Sequence, residues 1–484
     1  MLKIQSSNRF FIDTLKLGAG TTIGQILIAF SAPILSRLYL PEAFGAFAVF
    51  NSLVITLSMI SGLRYELAIL LPHDDRDGFH LLNLQMLLNL SFALVFGVLI
   101  GVFRHPLASA LGRPDLANLL WWSGFAILLF GVFNGMNYWN TRFRRYKMVG
   151  FARIVDSAVM TLTQIALAVR LNLGAGGLIA GLLIGKAAEN SVHLVTICKE
   201  DRHFWRLENR WQHSKALMHK YRKFPQFNMW ATLLNTLSWQ APALLLTAMF
   251  DLKVAGFYAI GERVIRLPMN VIGRAIAQVF FQQGAEAHRT GKLRDIFCQT
   301  VRMLSVLGLI PTLILSLAGR DLFTVLLGAQ WAEAGVYVQI LSIWAFIWFL
   351  SSPLSTIITI TEKQEKSLLF NILILSTRLI SLAVGGLLHS ARLAMLIFAL
   401  TGIFSYGWLL LYTGTESGVR PRTTLKLLLA TDWRWIVFTV LSLSALHLFS
   451  LSPIWMCFAA IAILGAYSLT IAKQLTATVR ISRS

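Results

Sequence analysis

The chain has 484 residues, 56% of them hydrophobic and only 13% charged, with a formal net charge of +21 and a mean hydropathy of +0.65. That composition is far too apolar for a soluble multidomain protein, so the basicity does not argue for nucleic acid and the chain reads as an all-α polytopic membrane protein. Residues 1–13, MLKIQSSNRFFID, are polar and lack a short apolar core with a small-residue cleavage site, which predicts no signal peptide.

Apolar windows of about 20 residues, enough to cross a bilayer as helix, begin near Thr14, Phe44, Leu81, Ala117, Phe151, Gly174, Phe227, Val254, Cys298, Ala332, Ser367, Leu393, Trp435 and Ile454. They predict about fourteen transmembrane helices. The fifth and sixth are separated only by LNLGAGG, and the last pair flanks Ser450 to Pro453. Lys and Arg segregate by loop. With the N-terminus inside, the inside segments hold Lys3, Arg9 and Lys16, then Arg142, Arg144, Arg145, Lys147 and Arg153, and then the basic run from Lys199 to Lys223. Further inside positions are Arg289, Lys292 and Arg294, Lys363 and Lys366, Arg420, Arg422 and Lys426, and the tail Lys473, Arg480 and Arg483. Outside loops hold only Arg104, Arg113, Arg170, Lys253, Arg320 and Arg392. This positive-inside pattern predicts cytoplasmic termini and assigns most of the basicity to topology and contact with anionic lipid.

The longest polar break, residues 199–226, comes after six predicted helices, and the second half of the chain echoes the first. EAFGAFAVFNSLVITL aligns with KVAGFYAIGERVIRLP, placing Gly45 over Gly256 and Phe47 over Tyr258. ALGRPDLANLLWWSGFAILLF aligns with LLGAQWAEAGVYVQILSIWAF, pairing Gly112 with Gly328. The expected organisation is an N-terminal six-helix lobe (1–198), a cytoplasmic basic linker (199–226), a C-terminal six-helix lobe (227–416), and two additional helices with a cytoplasmic tail (417–484). Parallel repeats of this kind suit a transporter whose halves rock about a shared site.

Fixed charges inside apolar spans carry the functional signal, because each costs about 2.5–3.5 kcal/mol in lipid and so faces a partner, a water path or a substrate. The window 254–281 carries Arg263, Arg266, Asn270 and Arg274, which on one continuous helix fall within an arc of roughly 80°. The others are Arg64 with Glu66 in the second predicted helix, Asp156 in the fifth, Lys186 with Glu189 in the sixth, Glu262 in the eighth and Arg378 in the eleventh. Lys186, Arg266 and Arg378 lie near mid-span. For any one of these the alternative is a buried structural ion pair, and Arg64, close to a span end with Glu66 nearby, suits that role best. As a set, cations exceed anions, which asks for an anionic guest with oxygens that guanidinium forks can grip. Glu66, Glu189, Glu262 and Asp156 are candidates for proton or sodium coupling. No catalytic set, cofactor site or metal site is expected: His203 and His213 lack ligand spacing, and Cys198, Cys298 and Cys457 sit where no oxidising compartment would pair them.

The segments LPEAFGAFAVF, LRYELAILLPHDDRDG, KYRKFPQFNMWATLLNTLSWQAPALLL, VAGFYAIGERVIRLPMNVIGRAIAQVFF and LLGAQWAEAGVY together resemble the polysaccharide and O-antigen flippases of the multidrug/oligosaccharidyl-lipid/polysaccharide exporter superfamily. The resemblance runs through the first twelve helices. It implies two pseudo-symmetric six-helix lobes around a central cavity, alternating access, residence in a bacterial inner membrane, and export of an undecaprenyl-pyrophosphate-linked oligosaccharide. It also implies membrane lipids as surroundings and a glycan polymerase and chain-length regulator as partners. Many relatives stop at twelve helices, so the thirteenth and fourteenth hold a lipid tail, dock a partner or only pack; lipid-II flippases also have fourteen, which leaves the glycan open.

For such cargo, Arg263, Arg266, Arg274, Lys186 and Arg378 would form a pyrophosphate cradle, with Arg64 a weaker member. Asn270, Asn235 and Gln240 would supply hydrogen bonds to sugar or pyrophosphate. Trp239 and Tyr258 are candidate sugar-stacking rings, and Pro242 and Pro268 are expected to kink their helices. A multidrug exporter of the same fold would need an acidic cavity, an integral-membrane glycan polymerase or ligase a large external loop, and a scaffold no cationic stripe. The long basic linker either docks a glycosyltransferase or lies on the lipid surface.

Overall fold

The computed structural model describes residues 20, 22–206, 211–429, 432–449 and 452–481, and among these all regular structure is helical. The expected helix start near Thr14, the basic residues Lys3, Arg9, Lys16 and Arg483, and Ser450 lie outside the described residues. Ten helices among the described residues are long and apolar enough to cross a membrane, or twelve if each of two bent pairs is one span. Fourteen is therefore not reached by length and apolarity. The shortfall falls at α1 (Thr22–Leu38), a shorter apolar helix, and at α9 (Met229–Met249), whose Asn235, Gln240 and hydroxyl side chains dilute its hydropathy.

The helices cluster into two compact units, Met1–Ala259 and Ile260–Ser484. In the first, α2 (Pro41–Ser58) opens with Pro41 at its first position and Glu42 in its first turn, both suited to a helix start. It ends before Leu63 and Arg64, which take left-handed φ values of 50° and 65°. Arg64 and Glu66 are therefore not in the second helix as the apolar window implied: Arg64 sits in the break and Glu66 in the short α3 (Tyr65–Ala68). α4 (Asp75–Val102) is capped by the Asp74 side chain, which accepts from the backbone N–H of Arg76 at 2.9 Å. α5 (Ser123–Arg142) is preceded by a short segment, Pro114–Leu120, at a 46° bend. Amide side chains tie α4 to α5, with Gln85 Nε2 donating to the Gly131 carbonyl and Asn89 Nδ2 to that of Leu128, each at 3.0 Å.

The closely spaced fifth and sixth spans are two full helices, α6 (Tyr146–Leu171) and α7 (Ala175–Glu200). Asn172 and Gly174, with φ of 46° and 54°, turn the chain between them, since these residues enter left-handed conformations at low cost. The helices then pack backbone to backbone: a Cβ at Gly181 would meet Gln164 and the Met160 carbonyl, and one at Gly185 the Asp156 carbonyl. α8 (Trp211–Lys220) comes next, before α9.

At the start of α10 (Leu252–Pro268) a second backbone approach occurs within this unit. A Cβ on Gly45 would strike the Leu252 carbonyl oxygen, and one on Gly256 that of Pro41. The two glycines aligned by the sequence repeat thus lie against each other's helix. The other aligned pair, Gly112 and Gly328, share positive φ values of 66° and 110°.

In the second unit α10 runs through a five-residue π-helical turn, Met269–Gly273, into α11 (Arg274–Arg289). The long α12 (Leu293–Leu327) packs on α13 (Ala332–Leu354), which in turn packs on α15 (Ala391–Glu416), itself paired with α14 (Gln364–Leu387). Phe297, Val301, Leu304, Leu350, Leu354, Ile357 and Leu410 form the core of this group. After α16 (Pro421–Leu428), the added helices α17 (Trp433–Leu448) and α18 (Pro453–Ile481) pack along α12. Ile310, Ile314, Ala318 and Leu322 meet Leu443, Met456, Cys457 and Ala460 there, and Tyr467 Oη donates to the Val306 carbonyl at 2.6 Å.

The glycine approach yields a direct test of packing. Gly256→Val forces α2 and the start of α10 apart at an expected cost of ~1–3 kcal/mol, read as a lower melting temperature in detergent. Gly465→Val, where a Cβ meets nothing within 4 Å, is expected to leave the melting temperature near that of the native chain.

Candidate functional site

The cationic run of α10 is built on a helix that does not stay regular. Pro268 has no N–H to donate, and the wider turn beyond it accommodates an extra residue before regular helix resumes at Arg274. Each added residue rotates the rest of the helix by about 100°, so Arg263, Arg266, Asn270 and Arg274 do not share one continuous face as the regular spacing predicted. Arg263 and Arg266 are half-buried on α10, Asn270 is half-buried in the turn, and Arg274 is exposed at the head of α11. Arg266 Nη1 lies 3.3 Å from Glu262 Oε1, one turn back on the same helix, which gives Glu262 a local ionic role.

Arg378 is 4% exposed on α14. Its Nη2 donates to Tyr406 Oη at 3.3 Å, and its guanidinium carbon stands 5.9 Å from the Trp344 ring centroid and 5.5 Å from that of Phe398. Arg266 and Arg378 both lie within electrostatic reach of Tyr406. A guanidinium from α14 and a phenol from α15 thus meet beside the Trp344 and Phe398 rings, whose faces suit a cation, and Arg266 of α10 adds positive charge felt at the same phenol. Both arginines stand out in the sequence, whereas Tyr406, Trp344 and Phe398 do not. Inside apolar spans these rings have the spacing of ordinary core residues, and no sequence signal separates them.

In the first unit three expected residues come together. Lys186 Nζ donates to Asp156 Oδ2 at 2.9 Å and to Glu189 Oε2 at 2.5 Å, while Arg153 Nε lies 3.3 Å from Glu189 Oε1. Lys186 and Glu189 are buried, at 4% and 0% exposure. The Phe133 ring lies under both cations, 4.7 Å from Lys186 Nζ and 4.4 Å from the Arg153 guanidinium. By residue order Arg153 counts only as an inside-loop charge, because it enters α6 just seven residues beyond Tyr146. Elsewhere Arg64 Nη1 donates to Glu66 Oε1 at 2.9 Å and its Nε to Asn228 Oδ1 at 3.1 Å, a pair whose carboxylate is buried. Gln240 Oε1 accepts from Ser52 Oγ at 3.0 Å, and Asn235 is exposed on α9. Trp239 is half-buried, whereas Tyr258, 2% exposed, has no open face for a sugar.

Where the chain turns between α5 and α6, Arg145 forks onto Asp201, with Nη1 at 2.7 Å from Oδ2 and Nη2 at 2.6 Å from Oδ1. These hydrogen bonds raise the Arg145 guanidinium pKa further, and the Trp139 indole donates to the same carboxylate at 2.8 Å. This fork is a structural clamp between helix ends.

Residues 34–336 match the family model described as polysaccharide biosynthesis protein. The succinoglycan biosynthesis transport protein ExoT of Rhizobium meliloti (strain 1021) is 26% identical over 318 residues, which are 65% of this chain. The match spans 61% of that curated relative's length. The lipid II flippase MurJ in an inward closed conformation has a similar fold, with a TM-score of 0.72 at 11% identity, covering 96% of this chain and 100% of that one. An inward-facing multidrug resistance MATE family transporter of the MOP superfamily has a TM-score of 0.62 at 12% identity, covering 84% and 96%. At such identities the likeness is one of fold, that of a polytopic helical membrane protein. With more than half of its length matched to the family model, the chain belongs to the polysaccharide biosynthesis protein family.

Proposed function

We propose that this protein is a flippase that carries an undecaprenyl-pyrophosphate-linked oligosaccharide, a repeat unit of O-antigen, capsule or exopolysaccharide, from the cytoplasmic to the periplasmic leaflet of a bacterial inner membrane. It works by alternating access of two six-helix lobes, 1–198 and 227–416, joined by the basic linker 199–226, with 417–484 as an added helix pair. Both termini are cytoplasmic, and a proton or sodium gradient drives the cycle. The observation that carries the reading is the placement of Arg378, a buried guanidinium on an apolar span, beside Tyr406 with Arg266 in reach. Forked donors of this kind match the oxygens of a pyrophosphate.

The proposed cradle is centred on Arg378 and Arg266, with Arg263 and Asn270 on the same span and Arg274, turned away beyond the wider turn, as an outlying member. Lys186 and Arg64, in the first unit, are each held by carboxylate partners of their own. Asn235 offers an exposed amide to sugar hydroxyls. Support for a glycan carrier, and not an organic-cation exporter, comes from the cationic character of the Arg266–Arg378 group together with the family match.

Transbilayer movement of a fluorescent undecaprenyl-pyrophosphate oligosaccharide in proteoliposomes tests this. The native chain is expected to accelerate movement above protein-free vesicles, Arg378→Ala to lose most of that acceleration, and a proton or sodium gradient to change its rate. Movement no faster than in protein-free vesicles, from correctly folded protein, would overturn the proposal. Tyr406→Phe removes one acceptor for Arg378 and one hydroxyl donor, and is expected to weaken inorganic pyrophosphate binding on the order of tenfold, the scale of one hydrogen bond to a charged group. Titration calorimetry on purified protein checks it.

A further inference from the structure

The four-charge cluster of the first unit has the composition of an exchange site. Two cations, Lys186 and Arg153, face two carboxylates, Asp156 and Glu189, and the cations are laid on one Phe133 ring. Its members differ in access. Glu189 and Lys186 are closed off from solvent, while the Arg153 side chain keeps 37% exposure and that of Asp156 keeps 16%. Arg153 lies seven residues into α6 from Tyr146, or about 10 Å from the helix start, on the predicted cytoplasmic side. Two buried carboxylate atoms, Glu189 Oε1 and Asp156 Oδ1, accept no hydrogen bond among the described residues. Glu189 Oε1 keeps only the longer ionic contact to Arg153.

His193, one turn beyond Glu189 on α7 and 0% exposed, adds a donor. Asn140 Oδ1 accepts from Arg145, which fixes the amide so that its Nδ2 faces His193 Nδ1 at 3.1 Å. The imidazole therefore accepts at Nδ1 and carries its proton on Nε2, which has no partner among the described residues. Of the other elements packed here among the described residues, α1, whose Gly24 lies against the Arg153 carbonyl, carries Arg37 near its C-terminal end. α5 contributes only Arg142, which is spent on Asp75, and α2 only Glu42 at its start; Asp201, past the end of α7, is held by Arg145 and Trp139.

We propose that Arg153 is an anion-exchange point whose internal ligand is Glu189: a phosphate-bearing anion takes Arg153 from Glu189, and Glu189 then takes up a proton. The inference rests on the reading that the cargo carries phosphate. When Arg153 turns to the incoming anion, Glu189 loses one of the two cations that favour its ionised form in a buried place, and a proton from water takes that cation's part on the carboxylate. Nothing is oxidised or cleaved; one ion pair is exchanged for another and one proton is bound. By reciprocity the proton must strengthen anion binding as much as the anion strengthens proton binding. The cluster would thereby keep the charge of the buried site balanced while the anion is held; the proton is bound and released with the anion, so this exchange is separate from the step at which an ion gradient drives export.

Calorimetric titration of the full-length protein with inorganic pyrophosphate, in buffers of differing ionisation enthalpy from pH 6 to 8, counts the protons taken up on binding. The native chain is expected to take up close to one, with affinity rising by up to about tenfold per pH unit towards acid. Glu189→Gln, which imitates the protonated carboxyl, should bind more tightly and without proton uptake. Arg153→Gln, at a partly exposed position, should lose the proton uptake while the arginines of the second unit still bind. Proton uptake unchanged in Arg153→Gln, or weaker binding by folded Glu189→Gln, would overturn the exchange and leave the flippase reading standing. Absence of any pyrophosphate binding by the native chain would overturn the exchange, while the flippase reading stands or falls on the transbilayer assay.

Discussion

A charge placed at membrane depth must be met there by another group, and this constraint governs which helices of the protein belong together. Lys186 binds α7 to α6 through Asp156, Arg378 binds α14 to α15 through Tyr406, and Arg64 reaches from the α2–α3 break to Asn228 at the head of α9. Hydrophobic burial cannot choose among partners inside lipid, because the surroundings are as apolar as the side chains. Polar contacts and close backbone approach make the choice instead. The glycines at 45, 181, 185 and 256 admit the approach, and the charged and amide side chains fix its register.

The two charged groups differ in kind. In the first unit the two cations are matched one for one by carboxylates, so an anion entering there would have to compete for them. In the second, Arg378 donates to a phenol among aromatic rings, and Arg266, paired with Glu262, adds a further cation in the same unit. On the proposed function, a pyrophosphate would be drawn to the second by charge and would enter the first only by exchange. The functional account takes its polarity from that difference.

Much of this architecture is legible in residue order. The LNLGAGG spacer marks two helices because Asn172 and Gly174 are residues that tolerate left-handed backbone, and the repeat pairs Gly45 with Gly256, each of which needs its missing side chain. Arg64 is misplaced by sequence because the left-handed turn is made by two ordinary residues, Leu63 and Arg64, and the single Gly62 before them is too weak a mark to end a helix within an apolar window. Pro268 announces a kink, but the wider turn after it, which moves Arg274 off the stripe, has no sequence mark. Tyr406 and Trp344 are hidden by their resemblance to core, and Arg153 by its nearness to a basic loop. In each case the missing information is long-range: which span stands beside which.

The central claim is that the buried Arg378 group receives phosphate, and electron cryomicroscopy of the protein bound to an undecaprenyl-pyrophosphate glycan in nanodiscs tests it most directly. The account predicts pyrophosphate density within hydrogen-bond distance of the Arg378 and Arg266 guanidinium groups. Density for the pyrophosphate elsewhere, with Arg378 still held against Tyr406 and closed off from the ligand, would contradict it.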